Sequence, residues 1–182
     1  MTTHTFIFSS AINQKSISTF LTHIETLLKT ECDVIKLLIN SSGGAVSLAF
    51  GIVHLLQSLP CKVVTYNLGK VDSAALLLFA VGDERIALPQ SRFFAHEVTK
   101  ERMREHTLHS LRCELEEIEL DTVNIATFLS ERTKLTQDVW RTYMEKGEVI
   151  SPAEALSIGL ITSIDKLPQF LPNETFHLIA DV

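Results

Sequence analysis

Residues 34–44, Val34-Ile35-Lys36-Leu37-Leu38-Ile39-Asn40-Ser41-Ser42-Gly43-Gly44, join a nearly continuous apolar run to a pair of glycines. Apolar runs of this kind are typical of strands that are buried on both faces of a parallel sheet. After the glycines, residues 45–58 carry apolar side chains at helical spacing, and Pro60 ends the pattern. The segment therefore predicts a strand, a tight turn and a helix, which is the repeating part of an α/β fold.

The same alternation extends to both sides of this segment. Upstream, a short β-type run at residues 5–8 precedes a helical pattern at residues 17–28. Downstream, we predict a strand at residues 62–66, a turn at 67–72, an apolar helix at 73–81, and strands at 85–88 and 92–96. Alternation at this short period predicts stacked βαβ units around a mostly parallel sheet.

The C-terminal half is predominantly helical. Residues 99–146 contain no Gly or Pro, and their apolar and charged pattern predicts one long helix over Leu108–Arg132. Thr136 is typical of the N-cap of a further helix, and Ser151-Pro152-Ala153-Glu154 is typical of a helix start with a capping box. A last strand is predicted at residues 160–164. We find no linker, repeat or low-complexity segment, so we expect one domain over residues 1–182.

The composition excludes several functional classes. A net charge of -6 argues against a basic face for nucleic acid. Cys32, Cys61 and Cys113 lack metal-ligand spacing, so we expect buried thiols in a reducing compartment and no metal site. Residues 1–10 lack the pattern of a signal peptide, and the longest apolar run, residues 74–81, is far shorter than the roughly 20 residues that cross a bilayer. We therefore predict a cytoplasmic protein with no cofactor, nucleic-acid partner or membrane partner.

Three places carry candidate chemistry, and each also has a purely structural explanation. The Gly43-Gly44 turn either presents backbone N–H groups to an oxyanion or is only a tight turn. Ser73 is either a nucleophile or, like Asp72, an N-cap residue. His96 is either a general base or a hydrogen-bonded core side chain. Because all three follow strands of a parallel sheet, we expect them to converge at one edge, where together they predict acyl transfer.

Several stretches, in this order and spacing, resemble the proteolytic subunit of the ATP-dependent Clp protease (ClpP), a family of the crotonase-like superfamily. Residues 38–44 are similar to the family's strand and Asn-Ser-Pro-Gly-Gly turn, with Ser42 in place of the proline. Residues 69–75 lie where its nucleophile turn, Gly-x-Ala-Ala-Ser-Met-Gly, is expected. Residues 88–96, Leu-Pro-Gln-Ser-Arg-Phe-Phe-Ala-His, are similar to the stretch that ends at its catalytic His. Residues 150–161 resemble its closing helix and strand.

This resemblance covers about residues 5–167 and implies both a fold and roles for single residues. The implied fold is α/β, with ClpP/crotonase-like stacked βαβ units and a long helical handle region. Ser73 matches the nucleophile and His96 the general base. Gly44 and Ala74 match the two residues whose backbone N–H groups form the oxyanion hole.

The sequence also departs from the family pattern. Gly147 occupies the position of the third triad member, an Asp, so that Glu148 or Glu145 becomes the candidate to orient His96. Residues 97–102 lack the Pro and Gly of the family's handle strand and predict a charged helix start. The chain begins almost at its first predicted strand, so we do not expect the segment that forms the family's axial loops.

The resemblance implies a serine-type endopeptidase that cleaves peptides or unfolded segments through an acyl-enzyme. It also implies a homo-oligomer, with a ring as one form of assembly. The departures leave docking to an AAA+ unfoldase open. They also keep a second interpretation, a catalytically impaired ClpP-fold subunit with a structural or regulatory role in an oligomer. A third, a crotonase-type acyl-CoA enzyme, gives Ser73 and His96 no role.

Overall fold

The computed structural model describes residues 2–100, 107–170, 172 and 174–180. Within these ranges, strands and helices alternate through the N-terminal half, and helices dominate after residue 107. The elements are β1 (Thr3–Ser9), α1 (Gln14–Leu27), β2 (Val34–Ser41), α2 (Val46–Ser58), β3 (Lys62–Asp72), α3 (Ala75–Ala80), β4 (Glu84–Ala87), β5 (Arg92–Ala95), α4 (Leu108–Arg132), α5 (Gln137–Lys146), β6 (Glu148–Ile150), α6 (Pro152–Ser157), β7 (Ser163–Ile164) and β8 (Thr175–Ala180).

One sheet of eight strands joins these elements, in the order β6-β5-β3-β2-β1-β8, with β4 branching from β3 and β7 pairing with β4. Every pair is parallel except β5 with β6. Parallel neighbours are connected through helices that cover the sheet. The α/β fold of stacked βαβ units expected from the sequence is therefore confirmed.

The main core lies between the sheet and its helices. Alternate side chains of β1 and β2 point into it, and α3 is buried along its whole length. A smaller apolar cluster lies on the opposite face of the sheet. Fully buried large side chains of the main core include Phe6, Phe8, Phe20, Leu37, Ile39, Phe79, Phe93 and Trp140.

The prediction of a turn at residues 67–72 is wrong, because β3 continues to Asp72. The strand pairs with β4 over residues 64–67 and then with β5 over residues 70–72, so its backbone has a partner along most of its length. Asn67 fills the interval, since its side chain donates to the Arg92 carbonyl (2.8 Å) and accepts from the Gly69 N–H (3.0 Å). As a result, β3 delivers Asp72 and Ser73 to the end of β5.

The long helix α4 has the predicted bounds and two different halves. Its C-terminal half is buried at Ile125, Phe128 and Leu129, whereas Leu108 and Leu115 in the N-terminal half are more than half exposed. The start of the helix therefore projects from the core, as a handle does. Near its end, the Arg85 guanidinium donates to four backbone carbonyls, those of Gly82, Arg132, Gly159 and Leu160.

Other local predictions differ from the structure. Residues 97–100 are not helical, and positions 101 and 102 of that expected helix start lie outside the described residues. Ser151 caps α6, but Glu154 accepts from the Tyr143 hydroxyl (3.2 Å), so only half of the capping box forms. In place of the strand predicted at residues 160–164, β7 covers only Ser163–Ile164, because only two residues of β4 pair with it. Strands β6 and β8 were not predicted.

Candidate active site

The ends of β2, β3 and β5 meet at one edge of the sheet and surround a cavity of about 610 Å³. Ser42, Gly43 and Gly44 follow β2, Ser73 follows β3 and His96 follows β5, and all of them line this cavity. In parallel sheets such carboxyl-terminal edges are where ligands bind. The expected convergence of the three candidate segments is therefore present.

The two glycines form a turn that only glycine can occupy. Gly43 has φ of 84° and Gly44 has φ of 147°, which L side chains rarely adopt. A Cβ on Gly43 would lie 2.5 Å from the Asp72 carbonyl oxygen and 2.8 Å from Ser73 Cβ. A Cβ on Gly44 would lie 2.2 Å from the Ile12 carbonyl oxygen. The missing side chains thus let this turn press against both the candidate nucleophile and the segment after β1.

Ser73 has a positive φ, whereas an N-cap residue typically has the φ and ψ of an extended chain. Its φ of 56° is the only positive value among the described residues other than glycine. Its N–H donates to the Phe94 carbonyl (2.8 Å), which ties the turn to β5. The helix after it begins at Ala75 with Ala74 at the N-cap position, and no side chain caps it. The N-cap explanation of Ser73 is therefore wrong for this structure, and its side chain faces the cavity.

The backbone N–H groups of Gly44 and Ala74, both near Ser73, have no acceptor among the described residues. The Cβ position on Gly43 is 2.9 Å from the Ala74 nitrogen, so the glycine turn lies directly against this amide. The residues on either side of Gly44 bond to Ile12. The Ile12 N–H donates to the Gly43 carbonyl, and the Ala45 N–H donates to the Ile12 carbonyl. Both free N–H groups therefore belong to segments that line the cavity.

His96 is half-buried, and one of its two ring nitrogens is already bound. Nδ1 lies 2.7 Å from the Glu97 carbonyl oxygen, and because a carbonyl only accepts, Nδ1 must carry the proton. This fixes the tautomer in which Nε2 has a free lone pair. The ring also packs against Phe94, with 5.1 Å between the ring centroids. Within the described part of the chain, no hydrogen bond joins His96 to Ser73, although both face the same cavity.

No carboxylate among the described residues is hydrogen-bonded to His96. Gly147 ends α5 in the left-handed conformation, with φ of 68° and ψ of 61°. Glu148 lies opposite Ala95 in the β5–β6 pair, one residue from His96, and is half-buried. Glu145 is exposed on α5. The structure therefore brings Glu148 to the strand next to His96 but does not bring Glu145 into contact with it.

Asp72 is neutralised by an ion pair that the sequence did not indicate. Both of its carboxylate oxygens accept from Arg92, at 3.0 and 3.1 Å, and its side chain is only 9% exposed. Burial raises the pKa of Asp72, whereas Arg92, Lys70 and His96 oppose this rise. The carboxylate beside Ser73 thus faces a cation on the neighbouring strand.

The remaining wall of the cavity is mostly apolar. Its side chains come from five separate parts of the chain, and His96 is the only ionisable side chain among the lining residues. Sequence reasoning missed this wall, since its members are far apart in the chain and each looks like an ordinary core residue. They are Val46, Leu76, Val98, Ile125 and Met144.

No group of His, Cys, Asp and Glu side chains in the described ranges could hold a metal ion. Likewise, none of the helices in the described part of the chain is long and apolar enough to cross a membrane.

Comparison with known proteins identifies relatives among the Clp proteases. The sequence profile of the Clp protease family matches residues 1–167. The ATP-dependent Clp protease proteolytic subunit 1 of Corynebacterium glutamicum is 30% identical over 132 residues, which is 71% of this chain and 63% of that protein. Proteolytic subunit 2 of Chlamydia abortus is 31% identical over 137 residues, again 71% of this chain and 63% of the relative. The match thus spans less than two thirds of these curated relatives.

A solved structure shows the same fold. A mutant of ClpP1 from Listeria monocytogenes superimposes with a TM-score of 0.81, covering 90% of this chain and 92% of that chain. Only 21% of the aligned residues are identical, so this likeness concerns the fold alone. The ClpP/crotonase-like architecture expected from the sequence is confirmed.

Proposed function

Because the chain belongs to the Clp protease family, we propose that it is a serine-type peptidase that cleaves peptides or unfolded segments through an acyl-enzyme. The observation that carries the proposal is the positive φ of Ser73, which turns its side chain into the cavity that His96 and the glycine turn also line. A strained residue at a strand-to-helix turn is typical of an exposed nucleophile.

In the proposed reaction, Ser73 Oγ attacks the carbonyl carbon of the peptide bond. His96 accepts the hydroxyl proton at Nε2, the nitrogen that the Glu97 contact leaves free. The N–H groups of Gly44 and Ala74 donate to the oxyanion that forms. His96 then gives its proton to the leaving amine, and water hydrolyses the acyl-enzyme with His96 as base.

The Glu97 carbonyl performs one of the two functions of the acid in a catalytic triad. It holds His96 in the required tautomer, but it carries no full negative charge to stabilise the imidazolium that forms. The proposed enzyme is therefore slower than one with a complete triad, even though its proton transfer is correctly arranged. Glu148 is the proposed additional acid, because it pairs with Ala95, the residue before His96, and Glu145 is the weaker candidate, since it is exposed on α5; Glu148 shares the face of Ala95, so this role requires its side chain to reach around the strand end.

A fluorophosphonate probe tests the nucleophile. We expect the wild-type chain and Ser47→Ala, which changes an exposed serine on α2 outside the cavity, to be labelled equally. We expect no labelling of Ser73→Ala and at least a hundredfold slower labelling of His96→Gln, in line with the usual contribution of a general base. Equal labelling of Ser73→Ala and wild type would show that Ser73 is not the nucleophile.

The acid is tested separately from the nucleophile. Glu148→Gln and Glu145→Gln keep the size of each side chain and remove its charge. A slower labelling rate in Glu148→Gln alone is the expected result. Unchanged rates in both variants would remove both residues from the mechanism and leave the Glu97 carbonyl as the sole partner of His96.

A second function is favoured by the same contact at His96. Without a carboxylate bound to the imidazole, the chain is also a candidate for a catalytically impaired subunit with a structural or regulatory role in an oligomer. The exposed leucines at the start of α4 offer a surface for such assembly. If the fluorophosphonate probe does not label the chain, and its molar mass in solution is that of an oligomer, this second function is favoured. Labelling of Ser73 would contradict it.

We also propose that the chain forms a homo-oligomer, with a ring as one form, and that an AAA+ unfoldase is a candidate partner. Sedimentation of the purified chain measures its oligomeric state, and a monomer at micromolar concentration would contradict both the homo-oligomer and the ring. Hydrolysis of an unfolded protein that requires both ATP and an added unfoldase would support the unfoldase as a partner.

A further inference from the structure

Asp72 and Arg92 form an ion pair next to the candidate nucleophile, on the two strands that Ser73 and His96 follow. We propose that this pair is a positioning element, which fastens the end of β3, and with it Ser73, to β5, the strand that leads to His96. The inference rests on the proposed function for its catalytic meaning, but the fastening itself is measurable in a protein without activity.

The fastening follows from bonds on both sides of Ser73. Asp72 is in register with Phe94 on β5, and the Phe94 carbonyl accepts from the N–H of Ser73 at 2.8 Å. The two carboxylate oxygens of Asp72 accept from the two terminal nitrogens of Arg92 at 3.0 and 3.1 Å. A paired guanidinium fork fixes direction as well as distance. Backbone and side chain together therefore hold the end of β3 against β5.

The ion pair also lies on the face of β5 that leads to His96. Side chains alternate along a strand, so Arg92 and Phe94 point to one side of β5, and Asp72 shares that side because it pairs with Phe94. The His96 ring packs on Phe94, with 5.1 Å between the ring centroids. Phe94 therefore contacts the histidine and pairs with the strand position that carries Asp72, so the ion pair holds the strand segment on which His96 packs.

The first experiment measures hydrogen exchange of the Ser73 backbone N–H, which donates to the Phe94 carbonyl. Asp72→Asn keeps the size of the side chain and removes the ion pair, so we expect this N–H to exchange about tenfold faster than in the wild type. Ser47→Ala, on α2 outside the cavity, should leave the exchange rate unchanged. An unchanged exchange rate in Asp72→Asn would refute the fastening.

Arg92→Lys tests the fastening, and since the Arg92 side chain is 45% exposed, the variant should fold. Lysine keeps the charge but cannot bind both carboxylate oxygens at once, so we expect faster exchange of the Ser73 N–H and fluorophosphonate labelling that is about tenfold slower. Labelling at the wild-type rate would refute the fastening. If even the wild type is not labelled, the proposed function fails, while the exchange of the Ser73 N–H still decides the fastening.

Discussion

Gly147→Asp should raise the reactivity of Ser73. A Cβ at this position would meet the Phe94 ring at 3.7 and 3.8 Å, which is ordinary van der Waals contact, so the new side chain has room. The Phe94 ring in turn packs on His96. The substitution therefore places a carboxylate beside the ring that carries the base, at the position where the family's acid is expected.

The size of the gain is limited by what the site already has. Loss of a triad acid costs up to about 10⁴ in rate, partly through the wrong tautomer of the histidine. Here the Glu97 carbonyl already fixes the tautomer. Only the stabilisation of the imidazolium remains to be recovered, and we expect a gain of about tenfold to a hundredfold, or about 1.4 to 2.8 kcal/mol of activation free energy.

The substitution also has a cost. With φ of 68°, a side chain at residue 147 destabilises the fold by about 1 kcal/mol. For a chain of this length that corresponds to a melting temperature lower by about 2–4 °C. Gly147→Asn is the matched control, because it has nearly the same shape, tolerates the same backbone conformation and carries no charge.

The assay is the rate of fluorophosphonate labelling, with hydrolysis of a fluorogenic peptide as a second readout. Both variants should melt at the same lower temperature, and only Gly147→Asp should label faster than wild type. If the two variants label at the same rate, the negative charge is not what the site lacks, and the reasoning about residue 147 is refuted.

Three further outcomes follow from the structure. Gly43→Ala should abolish labelling and greatly lower stability, because its Cβ would lie 2.5 Å from the Asp72 carbonyl oxygen; a folded and reactive variant would contradict this. His177 is buried against His4, and burial lowers its pKa from 6.5 to about 4. The unfolded chain therefore binds a proton first, and we expect about 3 kcal/mol of unfolding free energy, fully present above pH 6.5, to be lost as the pH falls through 4. Urea unfolding checks this, since His177→Phe should flatten the dependence. Burial raises the pKa of Cys32 to about 12, so at pH 8 its thiol should react with DTNB only after denaturation. The test uses Cys113→Ser, which removes the other half-buried thiol, and rapid reaction of this variant in the native state would refute the expectation.

Much of the fold could be predicted because its signals are local. The buried strand before the glycine turn, the bounds of α4 and the caps at Thr136 and Ser151 each depend on short stretches of sequence. The strand β8 could not be predicted in this way. Its Phe176 and Leu178 are exposed while His177 is buried, which reverses the usual pattern, and its partner β1 is distant in the chain.

The candidate site could likewise be predicted only where its signals are local. Ser73, His96 and the glycine turn were predicted, since each follows a recognisable strand and matches a family motif. The roles of these residues and of Gly44, Ala74, Glu148 and Glu145 stay predictions until they are tested. The contact between His96 and the Glu97 carbonyl could not be predicted, because any residue at position 97 provides the same carbonyl. The pairing of Asp72 with Arg92 depends on the register of β3 and β5, which appears only in three dimensions.

The position of β8 has a consequence for how this sheet can change. The strand lies beyond residue 167, where the family match ends, and it pairs residue by residue with β1 at the sheet edge remote from β5 and β6. Two strands, β1 and β2, separate it from β3, the strand that Ser73 follows. Changes in the length or side chains of β8 therefore need not move Ser73, so this edge of the sheet can vary while the position of the nucleophile is kept.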